Sequence, residues 1–146
     1  GEADRAFADY DELIRKHPRL ASAYEGRASA WLDRSEFDRA IADFGEMLRV
    51  SPDNAAAHLG RGTAYLEKGD LANAQVDIDR AVQLEPKNAS AFNTRGTLFR
   101  EKGELDRAMA DLDQSIRLNP KFANPYSNRG RVWRAKGAAP ARRSAR

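Results

Sequence analysis

The feature of the sequence that most constrains its fold is a repeat of 34 residues. Three segments share one pattern at this spacing, and they begin at Leu59, Asn93 and Ser127 with the sequences LGRGTAYLEKGD, NTRGTLFREKGE and SNRGRVWRAKGA. A small residue, an aromatic residue, an alanine, a bulky apolar residue and a proline recur in the same register without insertions. The chain is therefore an array of similar supersecondary units.

Each repeat has the pattern of two helices. A helical face of large side chains runs over residues 55–68, and Gly69 is suited to end that helix in the left-handed conformation. A second apolar stripe covers residues 70–84, and Pro86 prevents its continuation. We expect a turn at every position equivalent to Gly69, which are Gly1, Ser35, Gly103 and Gly137.

Gly62 stands in the middle of the first of these helices. A glycine there costs about 1 kcal/mol relative to alanine, so a packing demand should offset it. We predict that the missing side chain lets the two helices of a repeat approach each other. The expected contacts are Gly62 with Ala74, Gly96 with Ala108 and Ala28 with Ala40.

The recurring columns resemble the tetratricopeptide repeat family, whose 34-residue pattern is an aromatic residue, Leu-Gly, Tyr, Ala, Phe and Pro. The matching positions here are Tyr24, Ala28, Trp31, Ala40, Phe44 and Pro52, then His58, Gly62, Tyr65, Ala74, Ile78 and Pro86, then Phe92, Gly96, Phe99, Ala108, Leu112 and Pro120. The chain departs from the pattern at His58, and it has arginine where the family has leucine, at Arg27, Arg61, Arg95 and Arg129.

The chain resembles a fragment of a bacterial-type array of these repeats. This resemblance implies an all-α, right-handed superhelical solenoid of antiparallel helix pairs. We predict a partial repeat at 1–20 that contains only a second helix, then complete repeats at 21–54, 55–88 and 89–122. A partial repeat with only a first helix follows at 123–137, and a basic tail at 138–146. The exposed half-repeat at the N-terminus is expected to be the least stable part or to associate with another copy of the chain.

Several classes of function lack support in the sequence. There is no cysteine, and the two histidines, His17 and His58, lie in different columns without the spacing of a metal site. The glycines do not precede a helix after a strand, as a phosphate-binding loop requires. We therefore predict no catalytic residue, no metal and no cofactor, while the absence of cysteine leaves the cellular compartment open.

The charge is distributed unevenly. The chain has 25 basic and 22 acidic residues, and six of the basic ones lie in residues 131–146, which contain no acid. A nucleic-acid-associated or assembly role of this basic end is the alternative function. Confinement of the arginines to one end favours a solvated terminus instead.

The resemblance implies a protein-protein interaction scaffold that binds a peptide or helix of a partner in a concave groove lined by first helices. Helical periodicity selects the residues opposite the packing stripe as the candidate binding surface. These residues are Glu25, Ser29, Asp33, Leu59, Thr63, Glu67, Asn93, Thr97, Glu101, Asn124, Ser127 and Arg131. Some family members clamp the carboxylate of a chaperone tail with cations, and the matching positions here hold none: Glu25, Ser29, Gly60, Ser90 and Thr94 in one register, Leu59, Thr63, Thr94, Asn124 and Asn128 in the next.

Two columns of charge carry further expectations. We predict that each arginine of the column pairs with an aspartate of its own or the preceding repeat, chosen from Asp9, Asp43, Asp77 and Asp111. The acids Asp33, Glu67 and Glu101 would present negative potential to a ligand, with Arg131, Arg134 and Lys136 positive at the last repeat. In the alternative interpretation these acids only pair with Arg34, Lys68 or Lys102.

Overall fold

The computed structural model describes residues 1–138, which form eight helices and no strand. The helices are α1 (Glu2–Lys16), α2 (Ala21–Asp33), α3 (Phe37–Val50), α4 (Ala55–Lys68), α5 (Leu71–Leu84), α6 (Ala89–Glu101), α7 (Leu105–Leu118) and α8 (Asn124–Ala138). Helices α2 and α3, α4 and α5, and α6 and α7 pack as consecutive pairs. Because two or three residues join the members of each pair, they run antiparallel, and the predicted all-α class is confirmed.

The helices belong to two compact parts. The N-terminal part, Gly1–Pro86, contains α1 to α5, and the second part begins at Lys87 and contains α6 to α8. In the N-terminal part the core includes Tyr24, Ala28, Phe44 and Met47. In the second part Phe99, Ala108, Leu112 and Val132 form a core cluster.

Local signals account for most helix ends. Gly69 and Gly103 end their helices with φ angles of 88° and 76°, and Ser35 takes the same left-handed conformation with φ 57°. Prediction of a turn at Gly137 was wrong, because α8 continues to Ala138. A glycine permits the left-handed conformation but does not impose it, so the surrounding contacts decide whether the helix stops.

The glycines inside the first helices are sites of close helix approach; the predicted neighbour was wrong for Gly62 and right in part for Gly96. A Cβ at position 62 would lie 2.7 Å from Ile78 Cγ1 and 3.1 Å from the Ile78 nitrogen, rather than against Ala74. A Cβ at position 96 would lie 2.7 Å from Leu112 Cγ, with only the carbonyl oxygen of Ala108 nearby at 3.2 Å. The bulky residue one turn after the alanine fills the slot.

A second column of glycines, Gly26 and Gly60, contacts aromatic rings of the preceding repeat. This contact was not predicted from the sequence. A Cβ at Gly26 would lie 2.4 Å from the Tyr10 ring, and one at Gly60 would lie 2.4 Å from the Phe44 ring. Glycine and ring are 16 residues apart in both cases. That shared spacing is the signal that could have identified this contact between repeats.

Replacing two glycines of one column should change stability in opposite directions. Gly62→Ala places a methyl group against Ile78, so we expect net destabilisation by about 1 to 2 kcal/mol despite the better helix propensity. Gly130 occupies the same column, and no described atom lies within 4 Å of the Cβ an alanine would place there.

Gly130→Ala is therefore the matched control, and it should stabilise α8 by up to about 1 kcal/mol. Denaturant unfolding followed by circular dichroism, with hydrogen exchange resolving α8, measures both effects. Equal and favourable effects of the two substitutions would contradict the close approach at Gly62.

Candidate functional site

The arginine column forms buried, two-pronged ion pairs between the helices of each complete repeat. Arg27 donates from Nε and Nη2 to Asp43 at 2.9 and 2.7 Å, and Arg61 donates in the same way to Asp77 at 2.7 and 2.9 Å. The third pair joins Arg95 to Asp111 at 2.7 and 3.0 Å. Each arginine therefore uses an aspartate of its own repeat, 16 residues later.

Contacts of the arginines with a preceding repeat use other aspartates than those predicted. Arg27 Nη1 donates to Asp11 at 2.7 Å rather than to Asp9, and Arg129 Nη1 donates to Asp113 at 3.0 Å rather than to Asp111. These acids lie two residues further along the helix than the predicted ones. The two-pronged bonds, which are the strongest, thus hold the two helices of a repeat together. Setting the register between repeats is a secondary role of the arginines.

The aspartates of these pairs are buried, and the bonding favours the charged form of two of the arginines. Asp43, Asp77 and Asp111 are each less than 8 % exposed. Hydrogen bonding to Asp43 raises the pKa of Arg27 well above its ordinary value, and bonding to Asp77 raises the pKa of Arg61. Two parallel bonds between a charged guanidinium and a carboxylate are stronger and more directional than bonds between neutral groups.

His58 does more than pack in the aromatic slot that the sequence indicates. Its Nε2 donates to the carbonyl oxygen of Pro52 at 2.8 Å, because a carbonyl can only accept. Tyr24 makes the equivalent bond to Pro18 at 2.9 Å. The other ring nitrogen lies 3.0 Å from Asp77 Oδ1, so His58 shares that carboxylate with Arg61.

The cations at the ends of the first helices bond to acids 30 residues earlier. Arg34 bonds to Asp4 at 2.8 Å, and Lys68 bonds to Asp38 at 2.6 Å. Each bond joins a first helix to the second helix of the preceding repeat, and the bond to Asp38 raises the pKa of Lys68. The alternative in which Arg34 and Lys68 neutralise Asp33 and Glu67 was therefore wrong for these two acids.

The candidate surface of the N-terminal part comprises six residues, which we call the N-terminal patch: Glu25, Ser29 and Asp33 on α2, and Leu59, Thr63 and Glu67 on α4. Glu25, Ser29, Asp33 and Glu67 are exposed, and Leu59 and Thr63 are half-buried. Thr63 donates its hydroxyl to the Leu59 carbonyl at 2.8 Å, so it is occupied within its own helix. Within residues 1–138 the side chains of Asp33 and Glu67 make no hydrogen bond or ion pair.

The candidate surface of the second part comprises another six residues, which we call the C-terminal patch: Asn93, Thr97 and Glu101 on α6, and Asn124, Ser127 and Arg131 on α8. Helices α6 and α8 contact each other, and Asn128 Nδ2 donates to Asn93 Oδ1 at 2.9 Å. Thr97 bonds to its own helix and Glu101 accepts from Arg100, whereas Asn124, Ser127 and Arg131 are exposed. The free part of this patch is therefore on α8.

Two features typical of other functional classes are absent from the described part of the chain. Residues 1–138 contain no cluster of three or more His, Asp or Glu side chains able to hold a metal. None of their helices is both long enough and apolar enough to cross a membrane. Lys136 bonds to Asp106 at 2.5 Å, while the predicted basic tail lies outside the described residues except for Ala138.

Comparison with protein families yields two matches. The model described as "Tetratricopeptide repeat" matches residues 1–48 and 32–89, and the model described as "TPR repeat" matches residues 96–137. No curated protein sequence matches the chain.

Solved structures share the fold at low sequence identity. MamA is 22 % identical with a TM-score of 0.82, over 94 % of this chain and 80 % of that one. A tetratricopeptide repeat protein from Parabacteroides merdae is 22 % identical with a TM-score of 0.83, over 94 % of this chain and 54 % of that one. The first TPR of Spaghetti (RPAP3), bound to the HSP90 peptide SRMEEVD, is 20 % identical with a TM-score of 0.74, over 81 % and 94 %.

The buried pair of Arg61 and Asp77 should be far more important for stability than an exposed pair of the same type. Arg61→Ala leaves a buried carboxylate with only His58 as a partner, so we expect a loss of about 3 kcal/mol. A double-mutant cycle with Asp77→Ala should give a coupling free energy of at least about 1 kcal/mol, measured by denaturant unfolding.

Arg49→Ala provides the control, because the Arg49 and Glu46 side chains are 63 % and 44 % exposed. It should cost no more than about 0.5 kcal/mol. If Arg61→Ala were as harmless as Arg49→Ala, the ion pair would not hold the helices of the repeat together.

Proposed function

The chain belongs to the tetratricopeptide repeat family, whose members are non-catalytic scaffolds, and we propose that it binds a peptide or helical segment of a partner protein through its first helices. Relatives of this fold bind partner peptides, as the complex of RPAP3 with an HSP90 peptide illustrates. The two surfaces that serve this function are the N-terminal patch and the C-terminal patch. The observation that carries the proposal is the set of uncompensated charges on these patches.

The N-terminal patch supports a preference for basic ligand residues. Asp33 and Glu67 are exposed and keep their charges free because Arg34 and Lys68 are engaged with Asp4 and Asp38. Both acids lie at helix C-termini, where a negative charge is unfavourable by about 0.3 to 1 kcal/mol. A Lys or Arg of a ligand would offset that cost, and half-buried Leu59 offers an apolar contact about two turns before Glu67 on α4.

The C-terminal patch supports a preference for acidic or amide groups. Arg131, Asn124 and Ser127 are exposed on α8, and no other described residue bonds to their side chains. A guanidinium together with an amide and a hydroxyl is suited to a carboxylate or to the backbone of an extended segment. A segment bound by this patch therefore presents acidic groups or its own backbone.

A chaperone-tail peptide does not suit the N-terminal patch. SRMEEVD carries four carboxylates, counting its terminal one, and the clamp positions of α2 and α4 hold Glu25, Ser29 and Gly60. Glu25 is exposed and would repel such a peptide. A different class of partner segment is proposed here, and a second copy of the chain is a further proposed partner through the half-repeat at its N-terminus.

Selection from a random 12-residue peptide display library tests the proposal. We expect the selected peptides to be enriched in Lys and Arg, and their binding to weaken about fivefold on Asp33→Asn with Glu67→Gln, which corresponds to about 1 kcal/mol. Fluorescence polarisation of one selected peptide at two salt concentrations measures the affinity and its electrostatic component. SRMEEVD serves as a second probe and should not compete.

The matched control removes the same charge elsewhere in the N-terminal part. Glu12 and Asp53 are 50 % and 74 % exposed and lie outside the patch, so Glu12→Gln with Asp53→Asn should leave the affinity unchanged. Failure to select any peptide, or equal weakening by the two double variants, would contradict the proposed surface.

A further inference from the structure

Gly45 is a glycine in the interior of α3 that no close contact explains. A Cβ at Gly60 or Gly62 would lie 2.4 or 2.7 Å from a side chain of a neighbouring helix. A Cβ at Gly45 would have one described neighbour, Arg61 Nη1, at 4.0 Å. Because glycine weakens a helix relative to alanine and packing does not require it here, the open space beside Arg61 is a feature of its own.

The position of Gly45 holds an acid in two other second helices. Asp11 of α1 accepts from Arg27 Nη1 at 2.7 Å, and Asp113 of α7 accepts from Arg129 Nη1 at 3.0 Å. In both pairs the arginine stands 16 residues after the acid, on the first helix of the next repeat. This column is therefore where an arginine Nη1 meets a carboxylate.

Arg61 stands 16 residues after Gly45 and has the donor without the acid. Its Nε and Nη2 donate to Asp77 at 2.7 and 2.9 Å, as in the other buried pairs. Within residues 1–138 its Nη1 has no hydrogen-bond partner. The Arg61 side chain is 28 % exposed, and the Asp11 side chain at the equivalent of Gly45 is 63 % exposed, so this position opens to solvent.

One guanidinium of this chain already holds two carboxylates. Arg27 donates from Nε and Nη2 to Asp43 and from Nη1 to Asp11. Hydrogen bonds to Asp43 and to Asp11 both raise the pKa of Arg27. A second carboxylate on Arg61 would therefore repeat an arrangement that is stable elsewhere in the N-terminal part.

We propose that Arg61 Nη1 and the space beside Gly45 form a binding site for a carboxylate group that enters from solvent between α3 and α4. A carboxylate is the favoured ligand because it accepts charge-assisted bonds from a guanidinium. It belongs to a small organic acid or to an acidic side chain of a protein segment. Leu59 and Thr63 lie two residues to either side of Arg61, on another face of α4, so the site is independent of the N-terminal patch and of the proposed peptide binding.

Acetate is the first probe, titrated against chloride at constant ionic strength. We expect saturable shifts of the Arg61 side-chain NMR signals, and no such shifts of the Arg27 signals, because Asp11 already accepts from Arg27 Nη1. The capped tripeptide Ala-Asp-Ala, with capped Ala-Asn-Ala as its uncharged control, is the second probe. Binding of Ala-Asp-Ala assigns the site to an acidic side chain, and binding of acetate alone assigns it to a small organic acid.

Two variants exchange the properties of the two arginines. Gly45→Asp supplies the carboxylate from the chain itself and should abolish the response of Arg61 to acetate. Asp11→Ala removes the carboxylate from Arg27 and should give Arg27 a response like that of Arg61; circular dichroism checks the fold of both variants. An Arg61 response that does not saturate, equal responses of Arg61 and Arg27 in the unmodified chain, or a response that survives Gly45→Asp would each overturn the proposal.

Stability measures the same contact without a ligand. Gly45→Asp is compared with Gly45→Asn, which has the same size and nearly the same helix propensity but no charge. We expect the unfolding equilibrium constant to be about threefold smaller for Gly45→Asp, as is typical of a partly exposed ion pair. Equal stability of the two variants in denaturant unfolding would show that a carboxylate at this position does not reach Arg61, and would overturn the proposed site.

Discussion

The buried ion pair between the two helices of a repeat is the interaction on which the rest of this structure depends. Arg61 and Asp77 are adjacent in sequence to Gly62 and Ile78, so the ion pair and the closest helix approach occupy neighbouring positions. Close packing removes water from Asp77, and the guanidinium supplies the bonds that water would have made. The close approach supports the ion pair, since a wider helix separation would break the two-pronged geometry.

The ion pairs between successive repeats determine which charged side chains remain free to bind a ligand. Arg34 and Lys68 hold successive repeats together through Asp4 and Asp38, and this leaves the neighbouring acid of each first helix uncompensated. The free carboxylates of the N-terminal patch are therefore a consequence of how the repeats are joined. That relation connects the stability of the array to its proposed preference for basic ligand residues.

Variation between repeats follows the same physical rules. Glycine stands 16 residues after the aromatic residues Tyr10 and Phe44. Leu112 in the same column is smaller, and the residue 16 positions after it is Asn128. Asn128 uses the space to bond with Asn93. Arg27 bonds to Asp11 of the preceding repeat, but the position equivalent to Asp11 in the repeat before Arg61 is Gly45, which has no acid. There His58 shares the carboxylate of Asp77 with Arg61 instead.

The sequence by itself determined the period, the helices and most of their ends, because a helix starts and stops through local chemistry such as Gly69 in the left-handed conformation and proline two residues after each second helix. It also indicated which face of each helix is buried. Only the tertiary structure decided that Gly62 faces Ile78 rather than Ala74, and that Arg27 reaches Asp11 rather than Asp9. Residues one turn apart share a helical face, so periodicity cannot fix the axial offset between packed helices, and that offset selects every partner across the interface.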